Sequence, residues 1–185
     1  MEENIYYQMF AEKLEQELLR LCTEMNLLKG SLLTTEDFDR KWKEFAPEYM
    51  ADSVKEIALY PDAAVAWAGY AGMAVARWWH DDWKRYSTYP YGKLHGKRGF
   101  DDMDEHILYD ILGLKKGSGK ARQLEEAMKR CATRAIGMIR HENIEPQSQR
   151  AFYVYAQTEK VMFRIGASLI LHQLGYHWQE VPQNQ

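Results

Sequence analysis

The segment from Asp62 to Trp83, DAAVAWAGYAGMAVARWWHDDW, constrains this chain more than any other. Its first part has almost no polar side. A helix that is apolar all round belongs inside a protein. On it Ala64, Ala68, Gly72 and Ala76 recur every fourth position and so share one face. That stripe of small side chains lets a neighbouring backbone approach closely. The uncharged run from Ala63 to Ala76 is shorter than the roughly 20 residues a membrane span requires. A buried core helix is the expectation, and no membrane association is expected.

Helical seams flank this segment on both sides. Tyr7, Ala11, Leu14, Leu18, Leu21, Met25 and Leu28 alternate steps of four and three, which predicts a first helix over 3–29 closed by Gly30. Thr34 reads as the cap of a second helix carrying Phe38, Trp42 and Phe45. Pro47 reads as its interruption, with a short third helix to Leu59. Tyr86–Phe100 reads as an aromatic and basic loop, and 101–114 as a short helix with acids in its first turn. Leu124, Met128, Cys131, Ala135 and Met138 mark a helix over 120–141. Ala151, Tyr155, Thr158, Met162, Ile165 and Leu169 mark a last one, ending at Gly175. Period-two alternation is missing. The expectation is an all-α fold: one domain over 1–185, a bundle of four to five major helices with short connecting helices around the buried Ala/Gly-rich one.

At 185 residues such a domain can bury its core without disulfides or metal. Cys22 and Cys131 both fall in helical patterns and read as small hydrophobes, reduced in a cytoplasmic setting. The acidic start Met1-Glu2-Glu3-Asn4 does not read as a signal peptide. A net charge of −3 argues against a general nucleic-acid binder.

Chemistry is harder to find. His80-Asp81 is the dipeptide of the HD-type metal phosphohydrolases, but their pattern needs an earlier metal-binding His, and none precedes His80. Glu-x-x-His and His-Glu-x-x-His are both missing. Gly117-Ser118-Gly119-Lys120 fails as a phosphate loop, because position 114 is Leu and position 121 is Ala. No motif requires a cofactor.

Three weaker groups remain. His80, Asp81 and Asp82 end the buried helix, where carboxylates oppose the helix dipole. By helical angle Asp82 falls on the buried side, so a partner from Lys97, Arg98, Lys120, Arg122 or an aromatic donor is expected. Asp102, His106 and Asp110 share one stripe, as a carboxylate-oriented base or as solvated side chains. Lys97 and Arg98 in the loop, with Lys120 and Arg122 at a helix start, read as a candidate anion site or as a solvated basic patch. The leading expectation is a soluble helical protein that binds a partner or itself without classical catalytic machinery. The aromatic loop and the first helix would be its surfaces. The alternative is a metal-dependent hydrolase or anionic-ligand protein with His80, Asp81, Asp82, Asp102 and His106 converging at one end of the bundle.

Overall fold

The computed structural model describes residues 2–178. Six helices pack together: α1 Glu2–Glu24, α2 Glu36–Ile57, α3 Pro61–Tyr86, α4 Met103–Glu105, α5 Gly119–His141 and α6 Gln149–Gln173. A 3₁₀ turn spans Tyr91–Leu94, and α4 continues as a π-helical turn over His106–Ile111. Among the described residues the sole β feature is the bridge between Gly96 and Gly99. No helix described is long and apolar enough to cross a membrane.

The fold is organised around α3, which is buried on every side from Ala64 to Ala76 apart from Trp67. Its small residues do what their spacing predicts. A Cβ added at Gly72 would overlap the Phe163 carbonyl of α6. Reciprocally, a Cβ at Gly166 would overlap the Gly69 carbonyl. The two helices therefore meet backbone on backbone, at a separation only glycine permits. That closeness gains dispersion contacts along both helices. Its cost is glycine's weak helix propensity, about 1 kcal/mol relative to Ala at each site.

Several boundaries differ from the periodic pattern. α1 stops at Glu24 rather than near Gly30. The Thr23 hydroxyl donates to the Leu19 carbonyl and accepts the Gly30 N–H at 3.0 Å, while Asn26 takes a positive φ of 61°. The chain thus curls back on the helix end, and Leu28 reaches the core from a loop. Thr35, not Thr34, caps α2, accepting the Asp37 amide at 2.9 Å. Pro47 does not break α2, which runs unbroken to Ile57. The reason is its buried stripe: Phe38, Trp42 and Phe45 before the proline and Tyr49 and Ser53 after it keep helical spacing. Pro47 itself sits on the solvent face.

The loop after α3 is also more ordered than its composition implies. Trp78 stacks on Tyr86, and Tyr89 stands edge-on to both, with the Tyr86 and Tyr89 ring centroids 4.9 Å apart. Tyr91 and Leu94 are fully in the core. Lys41 of α2, itself buried, donates to the carbonyls of Ser87 and Tyr89 at 2.7 and 2.8 Å and to Glu44 at 3.0 Å. All three ammonium protons are used, and the positive charge sits at the C-terminal end of α3, where the dipole favours it. The aromatic residues of this loop thus pack against the fold, while Lys93, Lys97 and Arg98 remain exposed.

Candidate functional site

The residues singled out in the sequence lie in separate places. His80 is exposed, and its Nδ1 is 3.0 Å from the Tyr176 hydroxyl. Asp81 accepts from Arg77 one turn earlier, at 3.0 Å. Asp82 is exposed and leaves the helical conformation (φ −167°, ψ 82°). Its carboxylate accepts the Arg85 amide at 3.3 Å, as an N-cap does. The expected burial of Asp82 and its pairing with Lys97, Arg98, Lys120 or Arg122 are thus corrected. The helix kinks at this residue, so the angular argument that placed it inside stops one position too early. The carboxylate that seemed to oppose one helix end caps the start of the next turn.

Asp102 and Arg98 meet each other instead. Asp102 accepts the Arg98 amide at 3.1 and 3.2 Å, with the Arg98 guanidinium 3.7 Å away. Its carboxylate also fills the space a side chain at Gly96 would need, so it clamps the Gly96–Gly99 turn. His106 is held between the Asp110 carboxylate, 2.8 Å from Nδ1, and the Lys93 carbonyl, 3.1 Å from Nε2. Asp102, His106 and Lys97 do line one recess of about 500 Å³. His80, Asp81 and Asp82 do not line it, and among the described residues no hydrogen bond or ion pair joins them to it. Nor are three or more His, Cys, Asp or Glu side chains grouped there to share a metal ion. The five-residue convergence is not formed. Lys120 and Arg122 stand exposed in the first turn of α5.

The structure brings forward groups that the sequence did not mark. Asp52 of α2 accepts from the Tyr91 hydroxyl at 2.7 Å and lies 2.9 Å from His95 Nε2. Burial, then the Asp52 hydrogen bond, pushes the Tyr91 hydroxyl far up. Glu159 is buried in α6, and its one hydrogen-bond partner is the Ser53 hydroxyl at 2.7 Å. Burial pushes its carboxyl up to about 8, only partly opposed by that hydrogen bond.

The most distinctive open feature is a cleft of about 800 Å³ where α3 begins. Tyr60, Trp67 and Tyr70 come from the start of α3 and the residue before it, and Phe100 from the loop that follows. Trp67 Nε1 donates to the Phe100 carbonyl at 2.8 Å, which fixes the loop against the helix. Tyr70 stands edge-on to Trp67, with ring centroids 5.6 Å apart. Five carboxylates share the lining with these rings: Glu56, Asp62, Asp101, Asp104 and Glu125. Lys129 is the sole cation in the lining. Burial pushes the Asp104 carboxyl up to about 6, and the neighbouring Glu105 and Glu125 charges add to the rise. Tyr70 is buried and backs Trp67, so Tyr60, Trp67 and Phe100 are the rings left to meet a ligand, beside negative charge. Aromatic rings and carboxylates are the two features that bind organic cations. Its residues come from positions 56–70, 100–104 and 125–132, so no single stretch of sequence displays it.

Comparison with family models, with curated proteins and with solved structures gives no match.

Proposed function

We propose that this protein works by binding, and that its working surface is the cleft at the start of α3, which takes a cationic group such as an ammonium or guanidinium. One observation carries this reading: four aromatic side chains and five carboxylates line the same concave surface with a single lysine among them. Aromatic faces hold a cation through their quadrupole, by about 0.5–2 kcal/mol per contact. Carboxylates add charge-assisted hydrogen bonds if the cation carries N–H donors. Exposed Leu59 and Tyr60 at the rim extend the apolar surface on which a larger partner would rest.

Titration calorimetry, with Trp fluorescence as a second readout, tests this. The probes are tetramethylammonium, spermidine and a short Lys/Arg peptide. Saturable binding of the small cations indicates a small-molecule site. Binding of the peptide alone indicates a protein partner. Trp67→Ala should lower affinity by about tenfold or more. Binding should strengthen as pH rises through about 6, because Asp104 ionises there and a cation favours its charged form. If none of the three probes binds in the millimolar range, or if Trp67→Ala leaves affinity unchanged, the reading fails.

A further inference from the structure

Cys22 and Cys131 are both free and fully buried, and their Sγ atoms lie 3.6 Å apart. They are 109 positions apart in the chain and face each other from α1 and α5. A disulfide needs the sulfurs at about 2.05 Å. The pair must therefore close by roughly 1.5 Å. The surroundings allow it. An open groove of about 870 Å³ runs beside the pair along α1 and α5; Leu21 and Arg130, the sequence neighbours of the two cysteines, line it, and the cysteines themselves lie beneath it. The groove leaves the solvent side of the α1–α5 contact unfilled, so a small approach of the two helices meets little resistance on that side.

The groove carries a net positive charge. Lys13, Arg20, Lys129, Arg130 and Arg134 line it, against Glu17 and Glu126; Glu17 pairs with Arg20 and Arg134, which leaves Lys13, Lys129 and Arg130. Cations beside a thiol favour the thiolate, the reactive form. Each sulfur also has the other as a hydrogen-bond partner. That hydrogen bond from Cys131 eases loss of the first proton, at Cys22. The hydrogen bond Cys131 donates to Cys22, then burial, then the charge on Cys22 hold this remaining thiol well above the ordinary range. One sulfur is thus set up to attack while its neighbour keeps its proton.

We propose that Cys22 and Cys131 form a redox-active pair, oxidised by hydroperoxides to a disulfide that ties α1 to α5. The thiolate attacks one peroxide oxygen and the O–O bond breaks. Sulfenic acid forms, and hydroxide leaves and is protonated to water. The second cysteine then loses its proton and attacks the sulfenic sulfur, forming the S–S bond and releasing the other oxygen as water. In sum, two thiols and one hydrogen peroxide give one disulfide and two waters. The two sulfurs together lose two electrons, and the peroxide oxygens gain them. Because both sulfurs are covered, the reaction runs at the pace at which the α1–α5 contact opens.

The test uses the full-length reduced protein and hydrogen peroxide as the probe. After treatment the chain is alkylated under denaturing conditions and mapped by peptide mass. The expected product is a monomer with Cys22 linked to Cys131, two hydrogens lighter, reverting on reduction. Its melting temperature should exceed that of the reduced form, since the bond closes a long loop. In Cys131→Ser, peroxide should leave a sulfenic acid at Cys22 that dimedone captures, with no linked product. Several results would overturn the proposal. One is both cysteines remaining alkylatable after millimolar peroxide. Others are linkage between chains instead of within one, and a disulfide form that melts below the reduced protein. The wild-type comparison needs no variant, so a poorly folding substitution does not blunt the test.

Discussion

The α3–α6 crossing and the α1–α5 contact are two ways of packing helices of similar length. At the crossing, Gly72 and Gly166 each press on the backbone of the facing helix, at Phe163 and Gly69, and neither leaves space for a methyl group. Beside the α1–α5 contact, long charged side chains line an open groove of about 870 Å³, and Gly137 has nothing within 4 Å of where its Cβ would stand. The same residue type thus answers to opposite constraints. In one place glycine is demanded by a neighbour, and in the other it only weakens the helix. Side-chain size at the interface sets the distance between helices. Tight contact then confers stability, while open space leaves room for chemistry.

The largest effect should come from the crossing. Gly72→Leu drives a side chain into the Phe163 carbonyl and should cost about 3 kcal/mol or more, at or beyond the upper end of overpacking. Gly166→Ala tests the reciprocal contact with one methyl group. A denaturation midpoint unchanged in either would show that the helices do not meet this closely.

A stabilising effect of similar size is expected on α6, on its side toward α2. Glu159 has a raised pKa, so the folded state holds a proton the unfolded chain has released. Its penalty is absent below about pH 4.5 and grows as pH rises toward 8. At pH 7 the shift corresponds to roughly 3 kcal/mol. Glu159→Gln keeps the shape and the contact with Ser53 and removes the titration. It should raise stability at pH 7 and flatten the pH dependence between about 4.5 and 8. Denaturant melts at pH 5 and pH 8 check this; equal stabilities for the wild type at both would refute the assignment. The crossing cannot accept one more atom, while this contact should improve on losing an ionisable group.

In the groove the expected sign reverses from the crossing. Gly137→Ala should stabilise by about 1 kcal/mol, through helix propensity alone. A loss of stability would mean the groove is tighter than described. The smallest effect belongs to Asp82. As a cap of a single exposed turn, its replacement by Ala should cost about 1 kcal/mol, well short of the loss a buried ion pair would show. A cost above 3 kcal/mol would restore a buried role for this carboxylate.

Much of the fold was legible because it repeats along the chain. Leu14, Leu18, Leu124 and Cys131 announce themselves by spacing, and each is buried where the spacing put it. The Ala64–Ala76 stripe announced a close contact, and Gly72 supplies it. The candidate site was far less legible. Tyr60, Trp67 and Glu125 carry no motif and become a cleft only when three segments fold together. Glu159 follows Thr158 on a helix whose later turns are buried nearly all round, and that all-round apolarity was the available hint. It said the face was inside, though not that a carboxyl there would find a serine.

The sequence by itself therefore determined the helices, their inward faces and the demand for a close partner along α3. Those properties are periodic and local, so hydrophobic spacing and backbone propensity suffice to state them. Tertiary structure alone decided that Gly166 answers Gly69, that Cys22 meets Cys131, that Pro47 lies on a face with nothing to break, and that Asp82 caps a kink. Each of these depends on what arrives from a distant part of the chain or on where a helix bends. Neither is written in the residues nearby, because contact between segments is set by the packing of the whole.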